Sequence, residues 1–350
     1  MGHDRRRFLE AAGAVGLASL AGCVDGFGAD VDAELNIGVV YATGGLGDDS
    51  FNDMAKQGLE AAASEFDLAF EETQPESDSE FSSAQRNFAE SGDYDLICCI
   101  GYAQQDALSE NAPEYPDQNF IIVDESVDAD NVRSYEFGEP EGSFQVGHLA
   151  GLITDREFAA KGNETNPDAD VVGFIGGTES PLIQSFHAGF EAGVEHANDD
   201  AEVVSSYVDS FTDTSAGQQA ARRMYQDQNA DIVFHAAGRT GIGVFQAARD
   251  EDRFAIGVDD DQSISNDDYA DVILASMVKY VDNAVYSAIE SVANDEFEGG
   301  ETETLGLAEN GVEAVYGDTV GDEIPDEIKA ELEASRQAII DGEIDVPTEL

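Results

Sequence analysis

The chain has no tryptophan, three cysteines and 16 lysines and arginines among 350 residues. Each shortage excludes something. Against 75 acidic residues, so few basic ones leave a formal net charge of -59. Phosphate backbones would be repelled by this field, which excludes nucleic acid as a partner. Three cysteines (Cys23, Cys98 and Cys99) support neither a disulfide framework nor a zinc site, and Cys98 and Cys99 read as buried packing residues on one strand. Beyond the N-terminus no apolar run reaches the roughly 18 residues of a membrane span. Disorder is excluded as well, because 42% of the chain is hydrophobic, with 19 Phe and 11 Tyr.

The acids are dispersed along the whole length, and lysine is confined to Lys56, Lys161, Lys279 and Lys329. In ordinary salt such self-repulsion opposes a compact state. At 1 M salt the screening length falls to about 3 Å, which removes most of the penalty. The composition reads as adaptation to a very salty environment. A single acidic ligand site would concentrate the charge instead.

The first residues read as an address. Arg5-Arg6-Arg7-Phe8-Leu9 precedes a small, apolar stretch that ends in Leu20-Ala21-Gly22-Cys23. A basic start, a short apolar core and small residues define a signal peptide. The paired arginines resemble a twin-arginine signal, and the Leu-Ala-Gly-Cys string resembles a lipobox with Cys23 as the lipidated N-terminus. Residues 1–22 are thus expected to be removed, and 23–35 to form a tether.

From residue 36 short apolar runs alternate with helical periodicity. Strands are expected at 37–41, 68–71, 96–101, 120–124 and 132–137, then at 171–175, 203–208, 232–236, 255–258 and 272–275. Helices are expected between them and near 280–295 and 326–341. This is the pattern of parallel sheets covered on both faces, in two doubly wound α/β lobes. The two halves resemble each other. Gly58-Leu59-Glu60-Ala61-Ala62 answers to Gly189-Phe190-Glu191-Ala192-Gly193, Phe51 to Phe186, and Gly101 to Gly238. Ligands in such sheets gather beyond the carboxyl ends of strands, so the expected site is a cleft between the lobes.

Enzyme signals are weak. His3, His148, His187, His196 and His235 show no helical zinc spacing, and no Gly-x-Ser-x-Gly elbow is present. The glycines at 44–47 lack the Gly-Lys-Ser/Thr of a phosphate loop, and Gly238–Gly243 has the wrong glycine spacing for one. Ordinary strand-to-helix turns explain both. Asp259-Asp260-Asp261 lacks the glycine and terminal Glu of a calcium loop and reads as a solvated turn. No metal or cofactor is expected. Lys279 stands out because lysine is so rare here. It is either a strand-end lysine reaching for solvent or an interior cation at a site.

Several strings together resemble the BMP family (basic membrane lipoprotein, PnrA-like), nucleoside-binding proteins of ABC importers. They are Asp48-Asp49-Ser50-Phe51-Asn52, Val172–Gly177, Phe186–Gly193, Ala236-Ala237-Gly238, Ile256–Gln262, Ser276–Lys279 and the stretch ending in Val346-Pro347. The resemblance implies a type I periplasmic-binding fold with three crossovers. Lobe 1 would be 36–137 plus about 279–299, and lobe 2 would be 138–278 plus about 300–350. It also implies ligand-binding roles for Asp48, Ser50, Phe51, Asn52, Asp106, Phe186, Gly238, Asp259 and Lys279. Phe51 and Phe186 would sandwich a base. Asp48, Asn52 and Asp106 would read its edge, and Asp259 and Lys279 would hold the ribose hydroxyls beside Gly238. Gly47 departs from relatives that carry an acid there, which leaves base preference open. The implied protein is a monomeric, lipid-anchored receptor on the extracellular face, serving an ABC permease and its ATPase, with no reaction of its own. The rivals are a binding protein for a sugar or signalling ligand, and a nucleoside-cleaving enzyme.

Overall fold

The computed structural model describes residues 33–166 and 168–350. The signal sequence, Cys23 and most of the tether lie outside the described residues.

The first lobe begins with β1 (Leu35–Val40), α1 (Phe51–Glu65), β2 (Leu68–Thr73), α2 (Phe81–Ser91) and β3 (Leu96–Ile100). It continues with α3 (Gln105–Asn111), β4 (Phe120–Val123) and β5 (Val132–Phe137). The chain then crosses into the second lobe at Gly138. There follow α4 (Glu139–Thr154), the small hairpin β6 (Ala159–Ala160) and β7 (Asn163–Glu164), β8 (Val171–Gly176), α5 (Pro181–Ala197) and β9 (Glu202–Tyr207). Next come α6 (Thr214–Asp227), β10 (Ile232–Ala236), α7 (Ile242–Asp250), β11 (Phe254–Asp259), the single turn α8 (Gln262–Ser265) and β12 (Ile273–Lys279). A second crossover returns α9 (Val281–Ala293) and β13 (Glu301–Leu305) to the first lobe, and a third delivers β14 (Val312–Tyr316) and α10 (Asp326–Ile340) to the second.

Each lobe is a six-stranded sheet, in the orders β13-β5-β4-β3-β1-β2 and β14-β12-β11-β10-β8-β9. The central strands β3, β4, β8, β10, β11 and β12 are buried along their full length, as their largely apolar runs require. β13 pairs in parallel with β5. The first lobe therefore extends through Leu305, past the boundary expected near residue 299. β13 and β14 escaped the sequence reading because Glu301–Leu305 and Val312–Tyr316 are edge strands with acidic, half-exposed faces.

The repeated glycines have a packing reason. A Cβ on Gly58 of α1 would lie 2.2 Å from the carbonyl oxygen of Asp282 on α9, and one on Gly189 of α5 would lie 2.2 Å from that of Pro140 on α4. In each lobe, the helix that follows the first strand thus crosses the helix arriving from a crossover at backbone contact. Every residue of α4 except Glu141 is buried, because α5, α10 and the sheet close around it. Cys98 and Cys99 are free and buried, and burial pushes both thiols up, which leaves them unreactive packing residues.

Candidate functional site

The loops at the carboxyl ends of both sheets face each other across a cavity of about 180 Å3. At a water's share of liquid volume, about 30 Å3, this is space for on the order of six waters, which is room for a small organic ligand. Asp48, Phe51, Asn52, Phe186, Gly238, Asp259 and Lys279 all line it.

The first turn is organised by Asp48, which is 2% exposed. Its Oδ1 accepts from the Ser50 and Asp53 amides, and its Oδ2 from the Asn52 amide at 3.0 Å and the Asn52 Nδ2 at 2.9 Å. Asp48 therefore caps α1 in place of Ser50. Burial pushes its carboxyl up to about 7 despite these donors. The Asn52 Oδ1 is occupied by the Ala42 amide at 3.0 Å. Asn52 is thus held with an amide hydrogen left over for the cavity.

Ser50, freed from capping, donates its hydroxyl to Asp259 Oδ2 at 2.5 Å, across the cleft. Gln262 Nε2 donates to the Asp49 carbonyl at 2.9 Å, and the Tyr102 and Thr178 hydroxyls meet at 3.2 Å. These contacts hold the lobes together on the cavity's margins.

Lys279 ends β12 and is 2% exposed, so it is an interior cation and not a strand-end lysine in solvent. Its Nζ lies 2.8 and 2.7 Å from the two Asp124 oxygens and 3.5 Å from Glu139 Oε1. It also sits 4.7 Å from the Phe51 ring centroid, 5.4 Å from that of Phe137 and 5.6 Å from that of Phe186. Burial pulls the lysine down, but Asp124, Glu139 and Asp259 outweigh it and hold it above its ordinary value. Burial likewise pushes Asp259 and Asp124 up, against the opposing pull of Lys279.

Asp106 departs from expectation. It lies exposed in the first turn of α3 and is not among the residues lining the cavity. The short helical turn Tyr102–Gln104 intervenes after Gly101 and turns α3 outward, so Tyr102 and Ala103 reach the cavity instead. Asp78, Asp124, Tyr102, Thr178, Leu182 and Phe211 also line it and were missed by sequence reasoning. For Asp124 a signal existed. Ile122-Val123-Asp124-Glu125 parallels Gly257-Val258-Asp259-Asp260. Both aspartates follow or end equivalent strands with a left-handed backbone, φ 71 for Asp124 and φ 66 for Asp259. The described residues contain no cluster of three or more His, Cys, Asp and Glu side chains suited to a metal ion.

Two wound lobes, three crossovers and a cavity between facing loops define the type I periplasmic-binding fold. A solute-binding protein of an ABC transporter system from Aeropyrum pernix superimposes with a TM-score of 0.78 at 30% identity, over 89% of this chain and 94% of that one. The family model for PnrA-like ABC transporter substrate-binding proteins matches residues 35–349, and the chain belongs to that family. An ABC transporter nucleoside-binding protein, BmpA, of Lactococcus lactis is 33% identical over 97% of this chain and 98% of the relative. A lipoprotein of Pyrococcus furiosus is 32% identical over 84% of this chain and 73% of its own length. The protein is thus the substrate-binding component of an ABC transporter, a family of binding proteins and not of enzymes, which works with a permease and an ATPase.

Proposed function

We propose that the protein captures nucleosides in the interlobe cavity and presents them, uncleaved, to its permease. The observation that carries this reading is the joint placement of Phe51 and Phe186 with Asn52, Asp259 and Lys279 around one cavity. Aromatic faces suit a flat base, the spare Asn52 donor suits an acceptor on its edge, and a carboxylate beside an ammonium suits a ribose diol. Asp48, whose oxygens are occupied by α1, acts by holding Asn52. Asp48, Asp78, Asp124 and Asp259 line the cavity against Lys279, a balance that disfavours phosphorylated ligands.

The same reading includes export through the twin-arginine route, a lipid on Cys23 and a working place on the extracellular face of the membrane in strong salt. The N-terminal sequence, the lipoprotein relative and the net charge of -59 support these features. Calorimetry at high salt with purine nucleosides, free bases, nucleotides and simple sugars tests the ligand class. Nucleosides should bind, and Asp259→Ala should weaken them by roughly 1.5–3 kcal/mol while affecting free bases far less. Binding of sugars without nucleosides would replace this reading with the sugar one.

A further inference from the structure

The cavity floor joins three parts of the molecule that the binding reading does not connect. Lys279 ends β12 just before the second crossover. Asp124 follows β4 in the first lobe. Glu139 opens α4 directly after the first crossover and is not among the residues lining the cavity. Asp259, at the end of β11, adds its charge to the same ammonium. Exposure is 2% for Lys279, 8% for Asp124, 4% for Glu139 and 6% for Asp259.

Three ionised carboxyls against one ammonium would leave two buried negative charges in excess, so at least one of them takes a proton. Asp124 has the short two-oxygen pair with Nζ, and Asp259 has the Ser50 hydroxyl at 2.5 Å. Glu139 has the longest contact, 3.5 Å. Several other charged or titratable groups on α4 and on the elements packed against it are engaged elsewhere. His187 pairs with Glu191 on α5, Glu327 of α10 with Arg156, and Glu313 of β14 with Tyr280. His148 meets Ser335, and Glu141 accepts from the Leu307 amide.

We infer that Glu139 is a positioning residue of the cleft, which at neutral pH carries a proton and thereby leaves Lys279 seated against Asp124 on the cavity floor. Burial first, then the nearby Asp124, pushes Glu139 up to about 8 against the pull of Lys279. Above that pH the ionised Glu139 competes for the ammonium and draws it back toward the crossover. Ligand affinity then becomes proton-linked through a group the ligand need not touch. The affinity arm below rests on the nucleoside reading; the position of Lys279 does not.

The sequence makes the direct test practical, because Lys279 is one of four lysines. With 15N-lysine labelling of the unliganded full chain in high salt, the buried Lys279 ammonium signal is identified by its loss in Lys279→Arg. In the wild type it should shift with a midpoint near pH 8, and in Glu139→Gln it should not. In Asp124→Asn, Glu139 becomes the main partner of Lys279 and the midpoint should fall. Adenosine affinity should weaken about tenfold between pH 7 and pH 9 in the wild type and stay level in Glu139→Gln. A Lys279 signal that titrates identically in wild type and Glu139→Gln overturns the inference, as does one that is flat in the wild type. A lysine titration lost in Glu139→Gln, with no adenosine bound by the wild type, upholds the positioning role and removes the nucleoside reading instead.

Discussion

The two lobes share one plan and differ in how they finish it. Strand by strand, β1, β2, β3, β4 and β5 answer to β8, β9, β10, β11 and β12. Gly101 and Gly238 take left-handed backbones after equivalent strands, and so does the pair Asp124 and Asp259. The sixth strand breaks the likeness. β13 arrives by way of α9 and pairs in parallel with β5, whereas β14 follows β13 after a short connection and pairs antiparallel with β12. The lobes also load the cavity differently. Each supplies one of the paired aromatics, Phe51 and Phe186, and one of the paired aspartates, Asp124 and Asp259, but the first adds Asp48, Asn52 and Asp78 and the second adds Phe211 and the cation Lys279. Duplication of a plan therefore fixed where the site lies, and departures from symmetry fixed its chemistry.

The largest test of that asymmetry removes the cation. Lys279→Met leaves Asp124, Glu139 and Asp259 buried without their partner and should cost about 3–5 kcal/mol in denaturant unfolding at high salt. A loss below about 1 kcal/mol would show that the cluster is not held by its lysine.

Symmetry is tested next by the two helix crossings. Gly58→Ala and Gly189→Ala each place a methyl group against a carbonyl oxygen and should each cost about 1–3 kcal/mol. Similar losses in the same melt would sharpen the equivalence of α1·α9 and α5·α4. A tolerated Gly189→Ala beside a damaging Gly58→Ala would break it, and would show that α4 can yield.

A smaller effect is expected where the lobes meet. Ser50→Ala removes the hydroxyl that Asp259 accepts and should destabilise the closed arrangement by about 1 kcal/mol. Small-angle scattering without ligand should then report a larger radius of gyration than for the wild type. An unchanged scattering curve would mean that the Gln262 and Tyr102 contacts suffice.

The smallest effect belongs to Asp106. Its exposed position predicts that Asp106→Asn changes stability and ligand affinity by no more than about 0.5 kcal/mol. A large loss of affinity would return this aspartate to the site.

Much of this was legible in the residues. Unbroken apolar runs such as Leu96–Ile100 can be satisfied only between two layers, so the parallel sheets follow from composition and spacing. The helices were equally plain, from the periodicity of segments such as Phe81–Ser91. The edge strands β13 and β14 were not, because Glu301–Leu305 and Val312–Tyr316 bury too little apolar surface to leave a pattern. In the cleft, resemblance named Phe51, Phe186, Asp259 and Lys279, which do line one cavity. It also named Asp106, which the turn after Gly101 carries outward.

By itself the sequence determined the layered α/β lobes, the internal duplication and a strongly acidic chain with a net charge of -59, because these depend on local period and on composition. The tertiary structure alone decided which carboxylates share Lys279. Asp124, Glu139 and Asp259 are separated by up to 135 positions from one another, and only the crossovers bring them to one buried ammonium, where low exposure makes each proton count.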